Sequence, residues 1–162
     1  RPWATCGHHN KRPHNVINSL YLTPQKLEDT VNERFKRYAV IEKTEQRAEE
    51  YLVDDAELVV VAYGASSRVA RSAVNKAREN GIRVGMIRPI TLWPFPNDAI
   101  THAAEHVKAF LSVEMSKGQM VDDVRLAVNG KCPVSFFGRT GGVIPTPGEI
   151  LHEIETITGG AK

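Results

Sequence analysis

Several short groups of residues carry the atom types that chemistry would need. Gly64-Ala65-Ser66-Ser67 follows an apolar run and opens an Ala-rich stretch. If the run is a strand and the stretch a helix, free backbone N–H groups and the helix dipole favour an anion there. The same residues have a plainer use, with Gly64 making the turn and Ser66 capping the helix. No GxGxxG or phosphate-loop lysine pattern is present. Arg88 closes a second apolar run just before Pro89. It is placed to hold a carboxylate or phosphate bidentately, or to pair with Glu114, which ends a third run. Gly138-Arg139-Thr140-Gly141-Gly142 is a basic turn that suits either an anion or a neighbouring chain, or is a loop needing positive φ.

Two histidine groups invite a metal reading. His102 and His106 stand four apart, but no HExxH pattern joins them, so a solvated helix face is expected. Cys6, His8, His9 and His14 lack a second ligand group at a familiar spacing, so no metal is assigned there. "YGASS" is not the G-x-S-x-G elbow, and no nearby His is tied to it by spacing. No catalytic residue is expected in this chain.

These groups need elements to hold them. The chain has 162 residues, enough for one domain with an appendage. Its net charge of +2 is too weak to suggest nucleic acid or an anionic membrane. The longest apolar run, Leu58 to Ala62, is far short of a membrane span. Cys6 and Cys132 are the only cysteines, with no CxxC, so neither a zinc ribbon nor an iron–sulfur cluster can be built from this chain alone. A reducing, cytoplasmic setting is expected. The first residue is not Met and the N-terminus resembles no leader, which suggests a processed chain or a piece of a longer one.

Residues 1–55 read as a linker followed by a helical segment, and residues 56–162 as an α/β domain. Arg1 to Leu22 is irregular, with Pro2, Gly7 and Pro13. Thr23 and Pro24 start a helix as N-cap and first position, and sparse apolar residues carry helical spacing to about Tyr51. From Glu57 onward, strand and helix patterns alternate. "ELVVVAYG", "IRVGMI", "KAFLSVEM" and "PVSFFG" read as buried strands, and each leads into a helical pattern. Gly81 and Asn129-Gly130 are stops, and Thr146 with Glu149 forms a capping box. Such alternation predicts an open, mainly parallel sheet with helices on both faces.

The segment "GIRVGMIRPITLWPFP" ends a strand in proline and aromatic surface. Pro89 cannot continue a ladder, so Thr91 to Pro96 is predicted to lie as a stiff loop over the sheet's carboxyl edge, where ligands and partners dock. Trp93 and Phe95 either meet a neighbour or fold back as a lid on the domain's own core.

"VVVAYGASSRVARSAVNKARENGIRVGMIRPITLWPFP", "FLSVEMSKGQM" and "GRTGGVIPTPGEIL" together resemble the C-terminal domain of transketolase-type thiamine diphosphate enzymes. "IRPITLWPFP" and "SVEMSKGQM" are most similar to the alpha subunit of 2-oxoacid:ferredoxin oxidoreductases, with the 2-oxoisovalerate (ketoisovalerate) and 2-oxoglutarate types as the natural candidates. The match covers about Glu57 to Gly159.

The resemblance implies that a complete enzyme oxidatively decarboxylates a 2-oxoacid on thiamine diphosphate, forms an acyl-CoA and passes electrons through iron–sulfur clusters to ferredoxin. Thiamine diphosphate and its Mg would sit mainly in a beta subunit, and the clusters in cysteine-rich parts. None of these is expected to bind this chain alone. Gly64, Ala65, Ser66, Ser67 and Arg139 are the candidates for a CoA or other anion contact. Arg88, Trp93, Phe95 and Glu114 are expected to serve structure or an interface. The implied partners are a preceding domain of the same subunit, the beta and ferredoxin-like subunits, and a second copy of the isolated chain through the Trp93 loop or the N-terminal helix. Two other readings remain: the same domain from another thiamine enzyme, and an autonomous flavodoxin-like nucleotide-binding module, which would need a richer phosphate loop than "YGASS".

Overall fold

The computed structural model describes residues 7–14 and 16–159. The chain divides into two compact units, Arg1–Ala39 and Val40–Lys162. The first holds an irregular stretch and most of helix α1 (Pro24–Thr44), none of whose residues is buried. The helix starts at Pro24, where a missing N–H costs nothing.

The second unit alternates strand and helix: β1 (Ala48–Tyr51), β2 (Leu58–Ala62), α2 (Gly64–Glu79), β3 (Val84–Pro89), α3 (Asn97–Ala103), β4 (Ala109–Glu114), α4 (Met120–Val128), β5 (Val134–Gly138) and α5 (Pro147–Thr158). The sheet order is β1-β3-β2-β4-β5. Strands β3, β2, β4 and β5 run parallel, and β1 joins β3 antiparallel.

The helical expectation to Tyr51 is therefore corrected. Helix α1 ends at Thr44, and Ala48–Tyr51 is a strand that belongs with the sheet, so the break in the chain falls near residue 40 and not at residue 55. The sequence AEEY hid this, because a short edge strand half in water carries charges and shows no apolar run.

Every residue of β2 is buried, and its two faces feed two cores. Val59 and Val61 pack with Ile87, Phe110, Ile100 and Ala103, and with Met120, Val124 and Val128 of α4. Leu58, Val60 and Ala62 pack with Val84, Met86 and Leu111, with Ala70, Ala73, Val74 and Ala77 of α2, and with Ile150 and Ile154 of α5. The small residues of α2 let it lie close on the strands. Helices α2 and α5 thus cover one face and α3 and α4 the other, as expected for a doubly covered parallel sheet.

The ends of the helices follow their local signals. Gly81 takes φ +82 just after α2, and Asn129 takes φ +49 as the left-handed cap of α4. Thr146 and Glu149 close a reciprocal capping box on α5. Helix α3 begins at Asn97 with Pro96 as its cap residue, and no side chain caps it. Gly85 of β3 is required by close approach: a Cβ there would lie 2.5 Å from the Leu52 carbonyl oxygen.

Candidate functional site: the carboxyl edge of the sheet

Four parallel strands end at one edge, at Ala62, Pro89, Glu114 and Gly138. The predicted site residues therefore share an edge, as the alternating pattern implied. What each touches differs from expectation in several places.

Gly64 opens α2 with φ +58, and the cap residue Tyr63 offers no side-chain hydrogen bond to the helix. Gly64 and Ala65 are exposed, whereas Ser66 and Ser67 are buried. The Ser67 hydroxyl donates back to the Gly64 carbonyl at 2.8 Å. Ser66 is thus no cap, and neither serine faces outward.

Arg88 does not pair with Glu114. Its Nη2 lies 2.9 Å from Glu49 Oε2, while Arg71 Nη2 reaches Glu49 Oε1 at 2.6 Å. Arg71 also stacks over the Tyr51 ring, 4.2 Å from its centroid, and the Tyr51 hydroxyl donates to Asn75 at 2.9 Å. The reason is strand parity. Val84 and Met86 face α2, so Arg88, two residues on, faces the same side. Glu114 alternates with Val113 and faces the other side, two strands away from β3. Glu49 lies opposite Arg88 in the antiparallel register. Nothing in the sequence pattern marks Glu49, because the charged sequence of β1 carries no strand signal.

Glu114 is a buried carboxylate, 2% exposed, tied entirely to its own chain. Oε1 accepts from the Ser112 hydroxyl at 3.1 Å and from the Val121 N–H at 2.9 Å. Oε2 accepts from the Ser116 hydroxyl at 2.9 Å and from the Gln119 and Met120 N–H groups at 3.0 and 3.1 Å. Burial pushes this carboxyl up, but the donors from Gln119, Ser116, Val121 and Met120 outweigh it and hold it below the usual range. The charge also sits at the positive end of α4. A carboxylate so stabilised is a poor general base, so its hydrogen bond from Ser116 makes no nucleophile. Asp123 nearby is pushed the opposite way, by burial first and then by the charges of Asp122 and Glu114.

The loops beyond the strands are equally fixed. Ile90 and Thr91 donate to the Arg47 carbonyl, the Arg47 N–H donates to Thr91 Oγ1 at 3.0 Å, and the Asp98 N–H donates to the Gln46 side chain at 3.1 Å. The two aromatics differ in burial. Phe95 is buried in the core beneath α3, and Trp93 is 55% exposed. Trp93 lines a shallow cleft of about 230 Å³ with Glu42, Gln46 and Asn97. Arg139 reaches Glu149 at 3.1 Å, and its N–H donates to the Glu114 carbonyl.

His102 lines a cleft with Gln46, Pro96 and Asp98, beside the loop just described. His106 Nε2 lies 3.2 Å from the Val53 carbonyl oxygen, and its ring centroid lies 6.3 Å from that of His102. The ring centroids of His8 and His14 lie 3.9 Å apart with the planes tilted by 47°, and Cys6 lies outside the described residues. Among the described residues, no three His, Cys, Asp or Glu side chains converge as a metal site. Cys132 is a half-buried free thiol, pushed up by burial. No helix among the described residues is long and apolar enough to cross a membrane.

Comparison with known proteins gives the chain that carries this edge a family. The pattern described as pyruvate:ferredoxin oxidoreductase core domain II matches residues 56–150. The chain is 48% identical over 157 residues to ketoisovalerate oxidoreductase subunit VorB of Methanothermobacter thermautotrophicus, covering 97% of this chain and 44% of that protein. It is 44% identical over 101 residues to 2-oxoglutarate synthase subunit KorA of Methanothermobacter marburgensis, covering 62% of this chain and 27% of that protein. The fold matches 2-oxoglutarate:ferredoxin oxidoreductase from Magnetococcus marinus with a TM-score of 0.71 at 21% identity, over 84% of this chain and 24% of that one. It also matches a split-gene transketolase with a TM-score of 0.56 at 16% identity, over 68% of this chain and 40% of that one. The chain thus spans less than half the length of these relatives. With the sheet, its carboxyl-edge loops and the matched residues in agreement, the chain belongs to the pyruvate:ferredoxin oxidoreductase core domain II family of 2-oxoacid:ferredoxin oxidoreductases.

Proposed function

We propose that this chain works as a non-catalytic core domain in the alpha-type subunit of a ketoisovalerate-type 2-oxoacid:ferredoxin oxidoreductase. The observation that carries the substrate class is the 48% identity to the VorB subunit across nearly the whole chain. Thiamine diphosphate with Mg, and the iron–sulfur clusters, belong on this reading to other domains and subunits in a cytoplasmic complex. The chain's part is assembly. Its proline-aromatic loop, with Trp93 outward on a base of buried Phe95, is a preformed contact for the preceding domain or a beta-type subunit. The ferredoxin-like subunit and ferredoxin act elsewhere in that assembly.

CoA supplies the acyl acceptor in such a reaction, and this chain is proposed to contribute a phosphate contact. The exposed, uncapped start of α2 at Gly64 and Ala65 fits an anion. The buried Ser66 and Ser67 can add only backbone groups, and Arg139 is available only by exchanging Glu149. The isolated chain is also proposed to pair with a second copy.

The test is reconstitution. The chain with thiamine diphosphate, CoA and a viologen acceptor should give no 2-oxoacid oxidation. The assembled complex should oxidise 2-oxoisovalerate in preference to 2-oxoglutarate. Turnover by the chain alone would sink the non-catalytic assignment, and the reverse preference would sink the substrate class.

A further inference from the structure

The two edges of the sheet are built differently. Strand β1 has four residues, two of them Glu, which is how natural sheets discourage edge-to-edge pairing. Strand β5 is the other edge, and its sequence VSFFG carries no charge. All five of its residues are half-buried. Nothing in the strand guards it against another strand.

Its free backbone groups can be assigned. The Phe110 N–H donates to the Pro133 carbonyl and the Arg139 N–H donates to the Glu114 carbonyl. In a parallel ladder the bonds to one neighbour recur every second residue, so positions 133, 135, 137 and 139 face β4. Val134, Phe136 and Gly138 therefore turn their N–H and C=O groups to the open edge. Pro133, which has no N–H to give, falls at a position whose donor would face β4.

These three residues are self-complementary about Phe136. In an antiparallel pairing of two copies across a twofold axis, Phe136 meets its own copy and Val134 meets Gly138, with about six backbone hydrogen bonds. Phe136 leans its ring over the bare backbone of Gly138 on its own strand. Ser135 then lies opposite Phe137. The flanking cations meet no like charge: Arg139 falls opposite Pro133, and Lys131 opposite Gly141.

We propose that the open edge of β5 is the surface through which a second copy of this chain binds, by antiparallel pairing centred on Phe136 into one continuous sheet. This rests on the self-association proposed above and assigns its surface, leaving the Trp93 loop to a different partner.

The test uses the whole chain with Cys6→Ser and Cys132→Ser as background. Sedimentation over a range of concentrations should show a monomer–dimer equilibrium, and Phe136→Lys should weaken it at least tenfold by opposing two like charges on the axis. Adding Phe136→Cys instead should give a covalent dimer under mild oxidation, because paired Cα atoms there lie about 5.5 Å apart. Val134→Cys should not, since its two copies lie roughly 14 Å apart. Should Phe136→Lys fail to fold, the cysteine pair decides. A monomer at every concentration defeats both self-association and this surface. A dimer that ignores Phe136→Lys and dissociates with Trp93→Ser, or equal cross-linking at both cysteine positions, defeats this surface alone.

Discussion

Glu114 Oε1 lies 2.9 Å from the backbone nitrogen of Val121, so a strand's last residue holds the first turn of the helix that follows it. The same carboxylate gathers Gln119, Met120 and the Ser116 hydroxyl, and Ser116 in turn accepts from the Gly118 N–H at 3.0 Å. Gly118 takes φ +108 in this turn. The loop that carries Met115 and Lys117 is thus wound around one buried charge.

Glu114→Gln should cost about 2 kcal/mol or more, because an amide nitrogen would face backbone donors in a buried place. The folded carboxyl titrates below its ordinary value. Its stabilising effect is therefore complete above the unfolded-state pKa and is lost as pH falls through the lower folded one. Denaturant unfolding of both proteins across the acid range tests this. The gap between them should be constant at neutral pH and close only in acid; a gap that widens toward low pH would contradict the assignment.

Arg88→Met should cost no more than about 1 kcal/mol, since the Arg88–Glu49 pair is partly in water. Glu49→Ala should cost more than either arginine change, because it leaves Arg71 and Arg88 facing each other without their shared carboxylate. Arg88→Met and Glu114→Gln should add, being on opposite faces of the sheet. Coupling between them in a double-mutant cycle would restore the pairing that the fold argues against.

Gly85→Ala should destabilise by about 1–3 kcal/mol, the usual range for forcing extra volume into a packed place. The new methyl would press on the Leu52 carbonyl and the Val53 Cα, both backbone atoms with little room to move. Thermal melts of the variant check it, with Gly148→Ala as a control at a site where a Cβ meets nothing.

Phe95→Ala and Trp93→Ser should separate core from contact. Phe95 is 8% exposed and belongs to the core beneath α3, so its loss should cost about 3 kcal/mol or more. Trp93 is 55% exposed, so its loss should cost the isolated chain less than the loss of Phe95. It should instead reduce the yield of complex when the assembly is reconstituted with its other subunits. Equal effects on melting would mean that the loop is only a lid.

Local signals determine much of this protein. The apolar runs of β2 to β5, the helical patterns between them, the stop at Asn129-Gly130 and the box at Thr146 and Glu149 each depend on residues close in sequence. From their alternation, a parallel sheet follows, and with it one edge holding Gly64, Arg88, Glu114 and Arg139. The motifs "IRPITLWPFP" and "SVEMSKGQM" carried the family.

Tertiary structure alone decided the partners along that edge. Strand β1 exists because β3 offers it an antiparallel edge, and its charged sequence has no strand signal of its own. Arg88 met Glu49 rather than Glu114 because pairing is set by strand order and by which face a residue takes, and neither is written in its neighbours. Phe95 and Trp93 stand two apart in one short loop, yet only the packing of α3 against the sheet placed one in the core and left the other in water. Spacing in sequence sets which way a side chain alternates along its own strand. Which strand lies beside it depends on the free energy of burying both faces of the whole sheet at once.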